Sequence, residues 1–194
     1  MPAAQKPAAK KPAPAKKAPA KKAPAKKRVA LFVADIYNDF EVWIPYYRLL
    51  EAGAEVVLAG PAKGEYKSKH GLPCQADAAF KDLKPAAFDA LVIPGGYAPD
   101  IIRRSKEALA FTAAMDKAGK TIAFICHAGW VPASAGILKG RTVTSFFAIK
   151  DDLIHAGAKW VDKEVVKDKN LITSRTPADL PAFCRTLVEA LGLK

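Results

Sequence analysis

The chain has 194 residues, with 31 basic and 19 acidic side chains and a net charge of +12. That charge is uneven, because residues 1–28 hold ten of the basic residues and no acidic one, which leaves the rest of the chain at only +2. Three widely spaced cysteines, Cys74, Cys126 and Cys184, with no CxxC pair and no His/Cys cluster, exclude a disulfide scaffold or a structural zinc site and point to a reducing, cytoplasmic setting.

Residues 1–27 are almost entirely Ala, Lys and Pro, with six prolines and a near-repeat of KKAPA. Such a segment lacks the apolar side chains of a core, and its prolines forbid a continuous helix; it is expected to be a disordered tail of polyproline-II character. It has neither the apolar stretch of a secretory signal nor the amphipathic period of a transit peptide, and no window of the chain suits a membrane span. Residues 28–194 are long enough for one domain with a proper core.

Arg28–Ala34 is a short apolar run suited to a buried parallel strand. A break over Asp35–Phe40 precedes a helical pattern from Glu41 to Ala52, stopped by Gly53. Glu55–Ala59 reads as a second strand, and Tyr66–Asp77 as a hairpin turning near His70-Gly71. Phe88–Ile93 is a further buried strand, cut off by Pro94-Gly95-Gly96, and one helix is expected from Pro99 to Ala118. Thr121–Ile125 is a strand that runs into Cys126 and a helix reaching about Leu138. Arg141–Ser145, Lys159–Val166 and Leu171–Ser174 read as strands, and Phe147–Ala156 and Pro177–Leu191 as helices. Alternating strands and helices predict an α/β fold with a mostly parallel sheet covered on both faces. Reactive groups in such sheets gather beyond the carboxyl ends of the strands. Three of those ends, Asp35–Glu41, Pro94–Asp100 and Cys126–Gly129, carry unusual residues and converge on a candidate site.

Cys126 sits where a strand meets a helix, a nucleophile elbow that lifts the sulfur out of the sheet. The positive end of the following helix is expected to favour thiolate, and Ala128 and Gly129 let the turn close. Taken alone, Cys126 reads first as a small buried hydrophobe, as most intracellular cysteines are; its strand-end position and the adjoining His127 reverse that and favour chemistry. His127 is a candidate general base or acid if a carboxylate orients it. Glu41, beside Phe40 and Trp43, is a candidate for a raised pKa and a proton shared with the thiol, although a helix-start acid is also common. Gly95 and Gly96 offer backbone N–H groups that, with that of His127, would form an oxyanion hole. Cys184 reads as a core residue of the last helix, and Cys74, His70 and His155 have little to recommend them.

The stretches VALFVADIYNDFE, KHG, FDALVIPGG, AFICHAG, SAGILKGRTVTS, IKDDLIHAGA and ITSRTPADLPAF together resemble the ThiJ/PfpI superfamily, specifically its PfpI-like intracellular cysteine peptidase and deglycase branch. The resemblance runs from about Arg28 to Leu193 and leaves the tail outside. It implies a flavodoxin-like three-layer sandwich, with Cys126 as nucleophile, His127 as its partner and Glu41 beside the sulfur. It also implies a homo-oligomer, a dimer or a hexamer of dimers, in which an acid after the Pro-Gly-Gly turn reaches the histidine from a neighbouring subunit. Here that acid is Asp100, one methylene shorter than the usual glutamate, and the usual Cys-His-Gly is Cys126-His127-Ala128.

One mechanism fits the activities that the resemblance implies: thiolate attack on a carbonyl, oxyanion stabilisation at Gly95 or Gly96, and proton transfer through Glu41 or His127. A pocket edged by Trp130 and Tyr97 favours a small dicarbonyl or its protein or nucleotide adduct, which describes a glutathione-independent glyoxalase or deglycase of the stress response; the alternative is an intracellular cysteine peptidase. A class I glutamine amidotransferase is excluded, because the only later histidine, His155, is followed by Ala156-Gly157 rather than x-Glu. No nucleotide-binding loop, metal site or cofactor is expected. A non-enzymatic reading makes Cys126 a redox sensor on a stress chaperone. In the tail, Lys10, Lys11, Lys16, Lys17, Lys21, Lys22, Lys26 and Lys27 recur as pairs without interleaved aromatics, the pattern of nonspecific nucleic-acid binding and of stationing at the nucleoid.

Overall fold

The computed structural model describes residues 26–194. The chain runs β1 (Arg28–Phe32), α1 (Asp39–Glu51), β2 (Glu55–Gly60), β3 (Gly64–Lys67), β4 (Pro73–Ala76), β5 (Ala78–Ala79), β6 (Ala90–Ile93), α2 (Ala98–Ile102) and α3 (Lys106–Lys117). It continues through β7 (Thr121–Ile125), α4 (Trp130–Ser134), β8 (Thr142–Val143), α5 (Lys150–His155), β9 (Lys159–Trp160), β10 (Val165–Asp168), β11 (Leu171–Ser174) and α6 (Leu180–Ala190). Seven strands form one sheet in the order β10-β11-β7-β6-β1-β2-β5, and every pairing is parallel except β10 with β11. The antiparallel β3-β4 hairpin and the short β8-β9 pair stand apart from it.

The central strands are apolar along their whole length because helices cover both faces. Ala90–Ile93 of β6 and Ile122–Ile125 of β7 are fully buried, as are the four residues that follow Arg28 in β1. Helices α1 and α6 pack against each other and against β2 and β11, while α3 lies on β6 and β7 with α2 and α4 beside it. The result is the three-layer α/β sandwich that the alternating pattern predicts.

Three elements differ from expectation. The helix expected over 99–118 is two helices, because the chain leaves α2 at Arg103 and restarts where the Ser105 hydroxyl accepts from the Ala108 N–H at 3.2 Å. The helix after Cys126 is a 3-10 turn over Cys126–Gly129 followed by only five α-helical residues. The strand expected over 159–166 is two short strands, β9 and β10, in different sheets. The tail residues Lys10, Lys11, Lys16, Lys17, Lys21 and Lys22, expected to meet nucleic acid, lie outside the described residues. Lys26 is exposed, and Lys27 pairs its ammonium with Asp89 at 3.2 Å.

Candidate active site

The carboxyl ends of β1, β6 and β7 bring Asp35–Glu41, Gly95-Gly96 and Cys126-His127 to one place. Cys126 follows the last residue of β7 with φ of +63°, a left-handed conformation that a non-glycine residue adopts at a cost of about 1–3 kcal/mol. Neighbouring backbone holds it there: the Phe146 N–H donates to the Cys126 carbonyl at 3.2 Å. Gly129 lets α5 close in, since a Cβ there would lie 3.0 Å from both Leu153 methyls.

Glu41 enters from the first turn of α1, which the Asn38 side chain starts by accepting from Phe40 N. The glutamate is fully buried and its Oε2 accepts from the Gly95 N–H at 2.7 Å. Its Oε1 lacks a hydrogen-bond partner among the described residues, and the carboxyl faces the Cys126 thiol. Burial therefore raises the Glu41 pKa to about 7, against the Gly95 and thiol hydrogen bonds, which lower it. Burial, and then the negative charge of Glu41, push the Cys126 thiol up to about 12; the N–H groups of Gly96 and His127, both directed at the sulfur, work against them. The thiolate expected from a helix N-terminus is thus overruled. The helix is only a short turn, and burial beside a carboxylate is the larger effect. Of the two groups the carboxyl ionises first, and it faces a sulfur that keeps its proton.

The two glycines have separate duties. The Gly95 N–H is committed to Glu41, which removes it as an oxyanion donor; a Cβ there would lie 2.6 Å from Glu41 Oε2 and 2.7 Å from Cys126 Cβ. Gly96, at φ +81°, sits where a Cβ would collide with the Ile36 carbonyl oxygen and the Asn38 nitrogen at 2.5 and 2.6 Å. The donors that face the reacting atom are the N–H groups of Gly96 and His127.

His127 Nδ1 lies 3.2 Å from the sulfur, and burial lowers the imidazole pKa. The ring rests against Phe146 and Trp130, with centroids 4.9 and 5.4 Å apart. The chain does not bring a carboxylate to it among the described residues. Asp100 instead pairs with Arg104, one turn along, which also donates to the Tyr97 hydroxyl. A cleft of about 360 Å³ opens over the sulfur, lined by Ile36, Asn38, Lys69, Gly96, Tyr97, Cys126, His127, Phe146, Thr176 and Pro177. Of these, Ile36 and Asn38 fall within the Asp35–Glu41 strand end, whereas Lys69, Phe146, Thr176 and Pro177 come from three further loops that the strand-end argument does not reach. The KHG and ITSRTPADLPAF stretches contain Lys69, Thr176 and Pro177 without marking them as cleft residues. Ile36 shares the strained backbone at φ +62°, fixed by hydrogen bonds to Lys67 and Tyr97. Cys74 and Cys184 are buried, with thiols raised to about 11 by desolvation, and belong to the core.

A family model, the DJ-1/PfpI family, matches residues 27–190, which is nearly all of the described chain and includes every residue of the cleft. The chain belongs to the DJ-1/PfpI family. Among relatives, it is 45% identical over 164 residues to a deglycase of Pyrococcus abyssi, covering 84% of this chain and 99% of that protein. It is 40% identical over 167 residues to YraA of Bacillus subtilis, whose name proposes a cysteine protease, covering 86% of this chain and 97% of that protein. The DJ-1/ThiJ/PfpI-like part of a two-domain protein from Anabaena variabilis, which also has a ferritin-like domain, superposes with a TM-score of 0.85 at 40% identity, over 86% of this chain and 48% of that one. No helix among the described residues is long and apolar enough to cross a membrane.

Proposed function

We propose that this member of the DJ-1/PfpI family is a cysteine-nucleophile enzyme that acts on small dicarbonyls and their adducts, as a glutathione-independent glyoxalase and deglycase. The observation that carries the reading is a fully buried Glu41 carboxyl facing the Cys126 thiol beneath a cleft of about 360 Å³. The sulfur attacks the aldehyde carbon of methylglyoxal, its proton passes to Glu41, and the Gly96 and His127 N–H groups hold the developing oxyanion. The C–H proton of the resulting hemithioacetal moves to the adjacent carbonyl carbon by way of Glu41 or His127, leaving a thioester. Water then cleaves the C–S bond, which releases lactate and restores the thiol. The carbon skeleton is conserved and one water is consumed. With an adduct as substrate the hemithioacetal or hemiaminal already sits on its carrier, and the same proton shift turns it into a lactoyl thioester or amide. The thiol attacks that acyl carbon and expels the carrier thiol or amine with a proton from Glu41, and water then cleaves the lactoyl-enzyme to lactate. The deglycase name of the Pyrococcus abyssi relative supports this class of substrate.

The name of the Bacillus subtilis relative favours a second reading, peptide hydrolysis by the same thiol. A compact cleft suits a small carbonyl better than an extended peptide. For either reaction His127 gains an orienting acid only from outside the described chain, and Asp100 of a neighbouring subunit in a homo-oligomer is the candidate; its release from Arg104 would be required.

Lactate formation from methylglyoxal, without glutathione or metal, tests the reading. Turnover by the wild-type protein that disappears in Cys126→Ala supports it. Absence of lactate from both, with Cys126-dependent cleavage of an unfolded protein, would transfer the chain to the peptidase reading.

A further inference from the structure

The cleft over Cys126 contains one cationic side chain and no anionic one among its lining residues. Glu41 lies beneath the floor, fully buried behind Gly95, while Lys69 stands on the rim. The turn that carries Lys69 is clamped at several points. Its own N–H donates to the Tyr37 carbonyl at 3.0 Å. The Ser68 hydroxyl donates to Asp39 Oδ1 at 2.5 Å and accepts from the N–H groups of His70 and Leu72 at 3.1 and 3.0 Å. His70 Nδ1 binds the other Asp39 oxygen at 2.8 Å. Asp39 is therefore occupied with Ser68 and His70, and the Lys69 ammonium makes no ion pair or hydrogen bond among the described residues. Its charge nevertheless reaches the site, because it favours the ionised form of Glu41. A lysine without a partner among the described residues, on a fixed turn at the rim of the Cys126 cleft, supplies a charge for whatever occupies it.

We propose that Lys69 selects anionic substrates at the Cys126 cleft, namely carbonyl compounds or adducts that carry a carboxylate or phosphate a few atoms from the reacting carbon. The Gly96 and His127 N–H groups take the carbonyl oxygen, and the ammonium takes the remote anion. This assignment rests on the carbonyl-enzyme reading only for its natural substrate; the charge selection itself is a property of the thiol's surroundings.

Alkylation of Cys126 by iodoacetate and by iodoacetamide tests it in the full chain, followed on the Cys126 peptide by mass spectrometry with Cys126→Ala as blank. Both reagents form the same Sγ–CH2 bond and expel iodide, so the ratio of their rates cancels any change in thiolate fraction and reports local charge. At pH 9, where Glu41 is ionised in every variant, the wild-type ratio of iodoacetate to iodoacetamide should exceed that of a protein without the Lys69 charge by about fivefold, the effect of one nearby charge in a partly solvated cleft. Lys69→Gln should bring it down by that factor and Lys69→Arg should keep it. A Lys69→Gln ratio equal to the wild type, or an equal loss in Lys69→Arg, overturns the proposal. In a second arm, kcat/KM is measured on methylglyoxal adducts of N-acetylcysteine against N-acetylcysteine amide, and of 2-mercaptoethyl phosphate against 2-mercaptoethanol. Lys69→Gln should lower the value selectively for the anionic member, and the pair that responds more identifies carboxylate or phosphate as the source. An alkylation ratio that depends on Lys69, without turnover of any adduct, would remove the deglycase reading and leave the charge selection standing. Turnover that ignores Lys69 on both pairs would do the reverse.

Discussion

Burial makes both Glu41 and Cys126 resist ionisation, and the pH behaviour expected of the site follows from that pair. Glu41 has a pKa raised from 4.5 to about 7. The reactive form carries one proton over the two groups, so kcat/KM should rise with pH through about 7 and hold above it until the second proton is lost. Glu41→Gln should cut lactate formation by about a hundredfold or more, because no base then receives the thiol proton. The same shift has an opposite effect on stability. A carboxyl whose folded pKa is raised contributes fully below its unfolded value, and that contribution fades as pH climbs past the folded value. For Glu41 the window lies between 4.5 and about 7, and a shift of this size corresponds to about 3 kcal/mol. Glu41→Gln should therefore raise the melting temperature by several degrees at pH 8, with the gap closing towards pH 5; a gap that does not depend on pH would contradict a buried ionised carboxylate. Gly95→Ala should lose activity by a different route, because its Cβ would sit 2.6 Å from Glu41 Oε2 and force the pair apart.

Among the elements, the parallel strands were the most readable and the polar ties between distant segments the least. Thr121–Ile125 is a run of apolar and β-branched residues closed by Cys126, and its strand has those same bounds. The break between α2 and α3 depends on one serine cap inside an otherwise helical pattern, which periodicity alone passes over. Arg141 illustrates what sequence cannot offer. It is buried, and its guanidinium binds Asp116 Oδ1 at 3.2 Å and Asn170 Oδ1 at 2.9 Å and donates to the Asp168 carbonyl, partners 25 to 29 positions away. Asp168 Oδ2 in turn accepts from the Thr142 N–H at 2.6 Å, so one arginine ties the end of α3 to the β10-β11 hairpin and to β8. Arg141→Met should cost about 1–2 kcal/mol, since the half-buried Asp116 and Asp168 lose their cation while keeping the hydrogen bonds from Asn170 and Thr142, and should appear as a lower urea midpoint with the rate of Cys126 alkylation unchanged. A change within about 0.5 kcal/mol would mean that the network only decorates the fold.

At the scale of the whole molecule the residues divide into a nearly neutral body and a basic extension. The body could be read because a parallel sheet gathers its strand ends: Glu41, Gly95 and Cys126 lie far apart in sequence, yet each follows or adjoins the end of a buried strand. The separate roles of Gly95 and Gly96, and the capture of Asp100 by Arg104, could not be read, because both depend on which atom faces which neighbour. The extension enters the body at Lys27 and Arg28, which lie at the amino end of β1, whereas the cleft lies beyond its carboxyl end. Removing the residues before Lys26 leaves both ends of β1 and the whole cleft in place, so catalysis should not need them. Residues 1–25 contain seven lysines and no acid. If these meet the phosphates of a duplex, affinity should fall about a thousandfold or more between 50 and 200 mM salt, by release of condensed counterions, with little dependence on sequence. A protein lacking residues 1–25 retains Lys27 for its pair with Asp89 and the whole described core. In fluorescence anisotropy with a labelled duplex it should lose low-salt binding and the steep salt slope, while lactate formation from methylglyoxal stays at the level of the full chain. Equal retention of the duplex by both proteins would place nucleic-acid binding on the body, or nowhere, and leave the tail without this role.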